Sequence, residues 1–314
     1  FDGIMGLGLS SLALSANFSF FGLLASSGQI GQAHFGVFLA DTDFGEESEI
    51  ALGGHNPSRL LEPLAWAPMV KPELGYWQVE IIAVHIDGRK LDICSNVTCS
   101  GILDTGTSHL GIPAGFDGEV GELLTREAGE VTDCRQAEGP VVRIELRDFN
   151  LTLFPENYMR KLPLAEDVNI EAHLGVSSTS YQDNETDDGG AEGSALAGQA
   201  AGGLAPHGVA SWEPKHYCTP KLLPVNLSAT IGGNVFILGE PVLHRYYTVY
   251  DWGGLRAGFG LAAHHGSSVG KPRALEHLRR TKEQRRAQVQ DDDLVVLLQV
   301  HILVRPRSRA PRIA

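Results

Sequence analysis

An aspartate followed by Thr-Gly-Thr-Ser, at Asp104-Thr105-Gly106-Thr107-Ser108, is the set of residues in this chain best suited to chemistry. The acid follows the aliphatic run Gly101-Ile102-Leu103, which reads as a buried strand, and a carboxylate at the end of such a strand is costly without a chemical reason. The glycine permits a sharp turn and a close backbone approach. Two threonine hydroxyls can hydrogen-bond the carboxylate and fix its direction. A carboxylate held in this way can act as a general acid or base. Asp-Thr-Gly alone also describes an ordinary turn, so the surrounding chain has to decide.

Other titratable groups compete weakly. His109, His244 and the pair His264-His265 show no metal-ligand spacing, which suits solvated or hydrogen-bonded roles. Four cysteines allow three pairings, and no C-x-x-C or tight Cys/His pair points to a metal. No metal and no cofactor is expected. Asp2, beside a glycine, reads as a loop residue.

The surroundings of Asp104 carry a resemblance. Phe1-Asp2-Gly3-Ile4-Met5-Gly6-Leu7-Gly8, His34-Phe35-Gly36-Val37-Phe38-Leu39-Ala40, Ile50-Ala51-Leu52-Gly53-Gly54 and Gly75-Tyr76-Trp77-Gln78-Val79 precede or flank the motif. Phe236-Ile237-Leu238-Gly239-Glu240-Pro241-Val242-Leu243-His244-Arg245-Tyr246-Tyr247-Thr248-Val249-Tyr250-Asp251 follows it. In this order, over most of residues 1–263, the segments resemble the pepsin-like aspartic proteases of the cathepsin D and pepsin type.

That resemblance implies an all-β, bilobal acid-protease fold in which Asp104 is the second of two catalytic aspartates. It implies that Gly106 and Thr107 contact the substrate backbone or support the carboxylate, and that Tyr76 and Ile237 lie near the primed-side subsites. It also implies the bridges Cys94 to Cys99 and Cys134 to Cys218. Glu240 stands where the family usually has aspartate, which bears on local substrate preference. Only one Asp-Thr-Gly occurs, and neither an Asp-Ser-Gly nor a counterpart of the family's flap hairpin is found. The chain therefore reads as a partial first lobe plus a nearly complete second lobe. Two carboxylates about 3 Å apart share one proton and divide the work of base and acid. A solitary Asp104 cannot do both, so the chain as given is expected to be inactive as a peptidase. The implied partners are polypeptide substrates, and the complete protein is expected to be monomeric. The alternative is a non-catalytic pepsin-fold protein that binds a peptide or a partner. Pairing of two copies through Asp104 is disfavoured, because the first-lobe segment would sit in the wrong place.

Composition agrees with this reading. Thirty-seven glycines and 7% aromatics in 314 residues suit turn-rich β structure. The net charge of −13 divides into +6 for residues 271–314 and −19 for residues 1–270, an acidic body poorly suited to nucleic acid. Asn17, Asn150, Asn184 and Asn226 begin glycosylation sequons, and a fifth at Asn96 falls inside the tight Cys94/Cys99 loop. Sequons and bridges together predict a secretory or endomembrane location, extracellular, vacuolar or lysosome-like.

The elements that must position Asp104 are strands. Residues 77–86 form a β-branched run ending at Asp87-Gly88, a hairpin-turn signal, and 141–146 alternates cleanly before a second strand at 151–154. Residues 246–251 and 255–261 flank a Trp252-Gly253-Gly254 turn. Short helices are predicted at 118–128 and 241–244. Residues 1–58 read as a first-lobe remnant and 59–263 as the second lobe. Between the strand expected at Tyr158 and Cys218, residues 163–216 read as a disordered acidic Gly/Ala/Ser insertion. Residues 264–314 read as a basic tail without structure, whose apolar stretch at 294–304 is too short to span a bilayer.

Overall fold

The computed structural model describes residues 4–41, 43, 45–165, 215–227 and 231–265, together with the backbone of a strand at 300–304. The expected insertion, apart from residues 163–165 and 215–216, lies outside the described residues, as do Asp2 and Asn184. What is described is mostly strand with a few short helices, an all-β architecture.

The largest sheet centres on β1 (His34–Phe38) and β16 (Tyr246–Asp251), antiparallel with Phe35 opposite Tyr250. Outside β1 lies β2 (Ser48–Leu52). Outside β16 come β17 (Arg256–Leu261) and β3 (Ala65–Pro68). The β1–β16 ladder thus joins the segment before residue 58 and the segment after it in one sheet. The last strand, β18 (Val300–Val304), runs parallel to β2 with Val300 opposite Ser48. This corrects the expectation of an unstructured tail for these five residues, whose β-branched content suits a strand beside an otherwise open edge. Residues 266–299 and 305–314 lie outside the described residues.

The sheet that carries the candidate acid has five strands. In order they are β14 (Leu222–Val225), β8 (Leu110–Pro113), β15 (Asn234–Leu238), β7 (Cys99–Leu103) and β4 (Gln78–Ile81). A four-stranded sheet orders β11 (Asn150–Leu153), β10 (Val142–Glu145), β5 (Ala83–Ile86) and β6 (Arg89–Lys90). A small third ladder joins β12 (Leu164–Ala165), β13 (His216–Cys218) and β9 (Arg126–Glu127).

The run at 77–86 is not one strand. It breaks at the half-exposed Ile82, whose N–H donates to Glu145 O at 2.8 Å, and β4 and β5 enter different sheets. The Asp87-Gly88 turn has φ of 49° and 81°, the two left-handed residues of a type I′ hairpin.

Helices depart more from expectation. α1 (Phe20–Ser26) was not anticipated, because seven residues with Phe21 alone buried are too short for a periodicity to show. α2 (Asp117–Leu124) stops before residue 128, since Arg126 and Glu127 are drawn into pairing with β13. The strand expected at Tyr158 is a helical turn, α3 (Pro155–Tyr158), set by Pro155 at its first position and by Asn157 Oδ1 accepting from Phe154 N at 2.9 Å. α4 (Glu240–Arg245) covers the expected 241–244.

One large core runs through these layers. Trp77 is its pivot, with ring centroids 5.7 Å from Phe35, 5.1 Å from Tyr250 and 6.2 Å from Trp252. Its indole N–H donates to Leu7 O at 2.8 Å, tying the first described residues to β4.

Candidate active site

Asp104 is delivered by strand pairing. β7 and β15 run side by side in parallel, with Ile102 opposite Ile237 and Leu103 opposite Leu238. Leu103 N donates to Trp77 O at 2.8 Å and Asp104 N to Leu238 O at 3.3 Å, so the aspartate leaves the sheet with its backbone still held. The close packing of β15 against its two neighbours, parallel β7 and antiparallel β8, needs small residues. A Cβ on Gly101 would lie 2.8 Å from the Leu238 side chain, and one on Gly111 would lie 2.6 Å from Ile237.

The turn then aims the half-buried carboxylate. Gly106 N donates to Asp104 Oδ1 at 2.9 Å and the Thr107 hydroxyl to Oδ2 at 2.6 Å. Hydrogen bonds to a carboxylate are the stronger kind, and here they reach both oxygens and fix its direction. A second loop braces the turn. Glu240 N donates to Thr107 O at 2.8 Å, and a Cβ on Gly239 would lie 2.3 Å from His109 O and 2.4 Å from Thr107 O. Gly239 has φ of −88°, open to any residue, so close approach alone requires glycine there.

The neighbours are cationic and engaged. Lys221 Nζ lies 3.3 Å from Glu240 Oε1, and Arg160 Nη2 lies 3.3 Å from His109 Nε2. A guanidinium only donates, so that ring nitrogen accepts and Nδ1 carries the proton toward Ser108 Oγ at 2.9 Å. Burial first, then the charges of Arg160 and Lys221, hold the His109 pKa below its ordinary value, partly opposed by Glu240. A ring that donates to Ser108 cannot take its proton, so the adjacent serine and histidine do not form a nucleophile and its base.

Of the other expected residues, Gly106 is exposed and Tyr76 half-buried. Ile237 is 8% exposed and its side chain belongs to a core cluster with Ile102 and Val225, against which Tyr76 packs. The structure therefore brings Asp104, Gly106 and Thr107 together and sets Ile237 beneath Tyr76. Asn17, Asn150 and Asn226 are exposed. Cys94 bonds Cys99 and Cys134 bonds Cys218, with Cα separations of 5.5 Å and 5.3 Å. Among the described residues no helix is long and apolar enough to cross a membrane.

Comparison with known proteins rests on this same stretch. The family described as eukaryotic aspartyl protease matches residues 1–181, more than half of the chain and inclusive of the Asp104 turn. The chain belongs to this family. It is similar to gastricsin of Cavia porcellus, 26% identical over 84% of the chain and 54% of that protein. It is also similar to cathepsin E of Aquarana catesbeiana, 25% identical over 82% and 52%, and to gastricsin of Homo sapiens, 27% identical over 84% and 55%. The chain spans about half the length of these curated relatives.

One residue of the site escaped the sequence reading. Tyr250 is buried, stacks on Phe35 with centroids 4.5 Å apart, and has a hydroxyl without a hydrogen-bond partner among the described residues. Burial, and then the negative charge of Asp104, push its pKa up, which places it within electrostatic reach of the acid.

Proposed function

We propose that this chain supplies one of the two acids of an aspartic endopeptidase, with Asp104 as that acid. The observation that carries the reading is a carboxylate at the end of a paired strand, held through both oxygens by Gly106 N and Thr107 Oγ1. In the two-acid mechanism the ionised member takes a proton from the attacking water. The protonated member polarises the peptide carbonyl and then protonates the leaving amine. Gly106 and the Thr107 backbone meet the substrate, Tyr76 lines the primed side, and Ile237 supports Tyr76 from below. The Thr107 hydroxyl is committed to the carboxylate.

The second acid is proposed to come from a first lobe docking on residues 4–23. Ile4, Leu14 and Phe18 are 89%, 94% and 72% exposed there, and several large exposed hydrophobics in one short segment suit an interaction surface. Substrates are polypeptides, the working molecule is a monomer, and its compartment is the secretory pathway. Two bridges and exposed sequons at Asn17, Asn150 and Asn226 support that placement.

The experiment joins the chain to a family first lobe carrying its own Asp-Thr-Gly. The joined protein should cleave unfolded protein at acidic pH and be blocked by a statine inhibitor, a mimic of the tetrahedral intermediate. Asp104→Asn should abolish cleavage without changing thermal unfolding. The isolated chain should be inactive from about pH 3 to 7. Full activity of the joined Asp104→Asn protein would refute the assignment, and inhibitor-sensitive cleavage by the isolated chain would point to self-pairing. Inactivity with Asp104 intact, alongside retained peptide binding, would favour the non-catalytic alternative.

A further inference from the structure

A cleft of about 340 Å³ opens between the edge strand β11 and the β16–β17 hairpin. Its volume falls near the lower end of small-molecule sites, roughly 300–1,000 Å³. It lies apart from the Asp104 turn. α4 begins at Glu240, bonded to Thr107, and ends at Arg245 in the cleft, so about 9 Å of helix separates the two at 1.5 Å per residue.

The walls are aromatic, formed by Phe149, Phe154 and Phe259, with Tyr246 among the lining residues. An added β-strand is excluded at Thr152, because the Tyr246 hydroxyl accepts from Thr152 N at 2.9 Å and donates to Thr152 O at 3.4 Å. The edge of β11 is already closed there.

Arg245 is the cation of the cleft. Its guanidinium lies 4.7 Å from the Phe154 ring centroid and 5.8 Å from that of Tyr246. Its Nη1 makes a long ion pair with Glu156 Oε1 at 3.8 Å, too far for a hydrogen bond, and the buried Nε has no acceptor among the described residues. A long ion pair does not saturate the donors of a guanidinium, and the partly exposed Arg245 side chain can donate to an anionic oxygen entering from the cleft. Glu62, exposed where it lines the cleft, disfavours a ligand that carries its negative charge outward.

We propose that this cleft binds a small carboxylate with an aromatic or alkyl body. The carboxylate sits on Arg245, and the body lies among the three phenylalanines. The site is independent of the catalytic reading, since none of its groups touches Asp104.

The test titrates the full chain with 4-phenylbutyrate and with its uncharged amide, read by calorimetry. The acid should bind and the amide should bind at least about tenfold more weakly, the factor that corresponds to ~1.4 kcal/mol. Arg245→Gln should weaken the acid by a similar factor, and Ala65→Trp, which fills the cleft from its wall, should abolish binding. If either variant fails to fold, the acid and amide comparison on the unaltered chain decides. Equal affinity for acid and amide, undiminished binding to a folded Arg245→Gln or Ala65→Trp chain, or no binding of the acid at millimolar concentration would each overturn the proposal.

Discussion

Gly239→Ala tests whether the Asp104 turn is held by close backbone packing. The added Cβ would lie 2.3 Å from His109 O and 2.4 Å from Thr107 O, and both are backbone atoms that cannot swing aside. One of the two loops must move by about an ångström to restore contact distance. Overpacking of this kind costs ~1–3 kcal/mol. The same movement weakens the Glu240 N to Thr107 O bond, which adds ~0.5–1.5 kcal/mol. At ~2–4 °C per kcal/mol for a large domain, a fall in melting temperature of ~3–18 °C is expected. The internal control is Gly118→Ala on α2, where a Cβ meets nothing within 4 Å. Restricting the unfolded chain there should raise stability by ~0.4–1 kcal/mol. Thermal unfolding by circular dichroism reads both. A Gly239→Ala protein that melts with the unaltered chain would show that the loops do not hold one another.

Three further outcomes are expected. Tyr250→Phe should leave stability unchanged or raise it by up to ~1 kcal/mol in denaturant titration, because it removes a buried hydroxyl without a partner; a loss above that would mean the hydroxyl is bonded. Replacing Cys134 and Cys218 by alanine should cost ~4–5 kcal/mol and replacing Cys94 and Cys99 ~2 kcal/mol, since the bridges close sequence separations of 84 and 5; equal costs would contradict the loop-entropy account. Glu46 has a fully buried side chain accepting from Asp41 N at 2.8 Å, His264 Nδ1 at 2.7 Å and His265 N. Burial alone would raise its pKa, but these bonds hold it below the ordinary 4.5, so its stabilising contribution is complete above that pH and declines as acid is added. His244, lowered to about 4 by burial and then by His264, loses its contribution between its ordinary 6.5 and about 4. Stability measured from pH 7 to about 3 should therefore decline in two stages, and Glu46→Gln should flatten chiefly the more acidic one, with a smaller shift of the first because Glu46 also acts on His244.

The chemistry was legible in the sequence to the extent that it is local. An aspartate, a glycine two residues on and a threonine three residues on bond one another within a single turn, so order along the chain nearly specifies their geometry. The Asp87-Gly88 hairpin was legible for the same reason. The 77–86 run was misread because β-branched composition marks a strand but cannot say where the chain changes sheets. The pairing of Ile82 N with Glu145 O decides that, between residues 63 apart. α1 and α3, at seven and four residues, are shorter than a periodicity needs.

Sequence by itself determined the strand-rich class and the family and pointed to Asp104 as the candidate acid, because each is written in residue types at short spacing. Tertiary structure decided which groups surround that acid. The parallel pairing of β7 with β15 and the Gly239 approach to two carbonyl oxygens join segments more than a hundred residues apart. It also turned Ile237 into the core and set Arg245 in an aromatic cleft with a long ion pair to Glu156. Contacts of that range depend on how sheets stack and which faces they bury, and a run of residue types does not specify it.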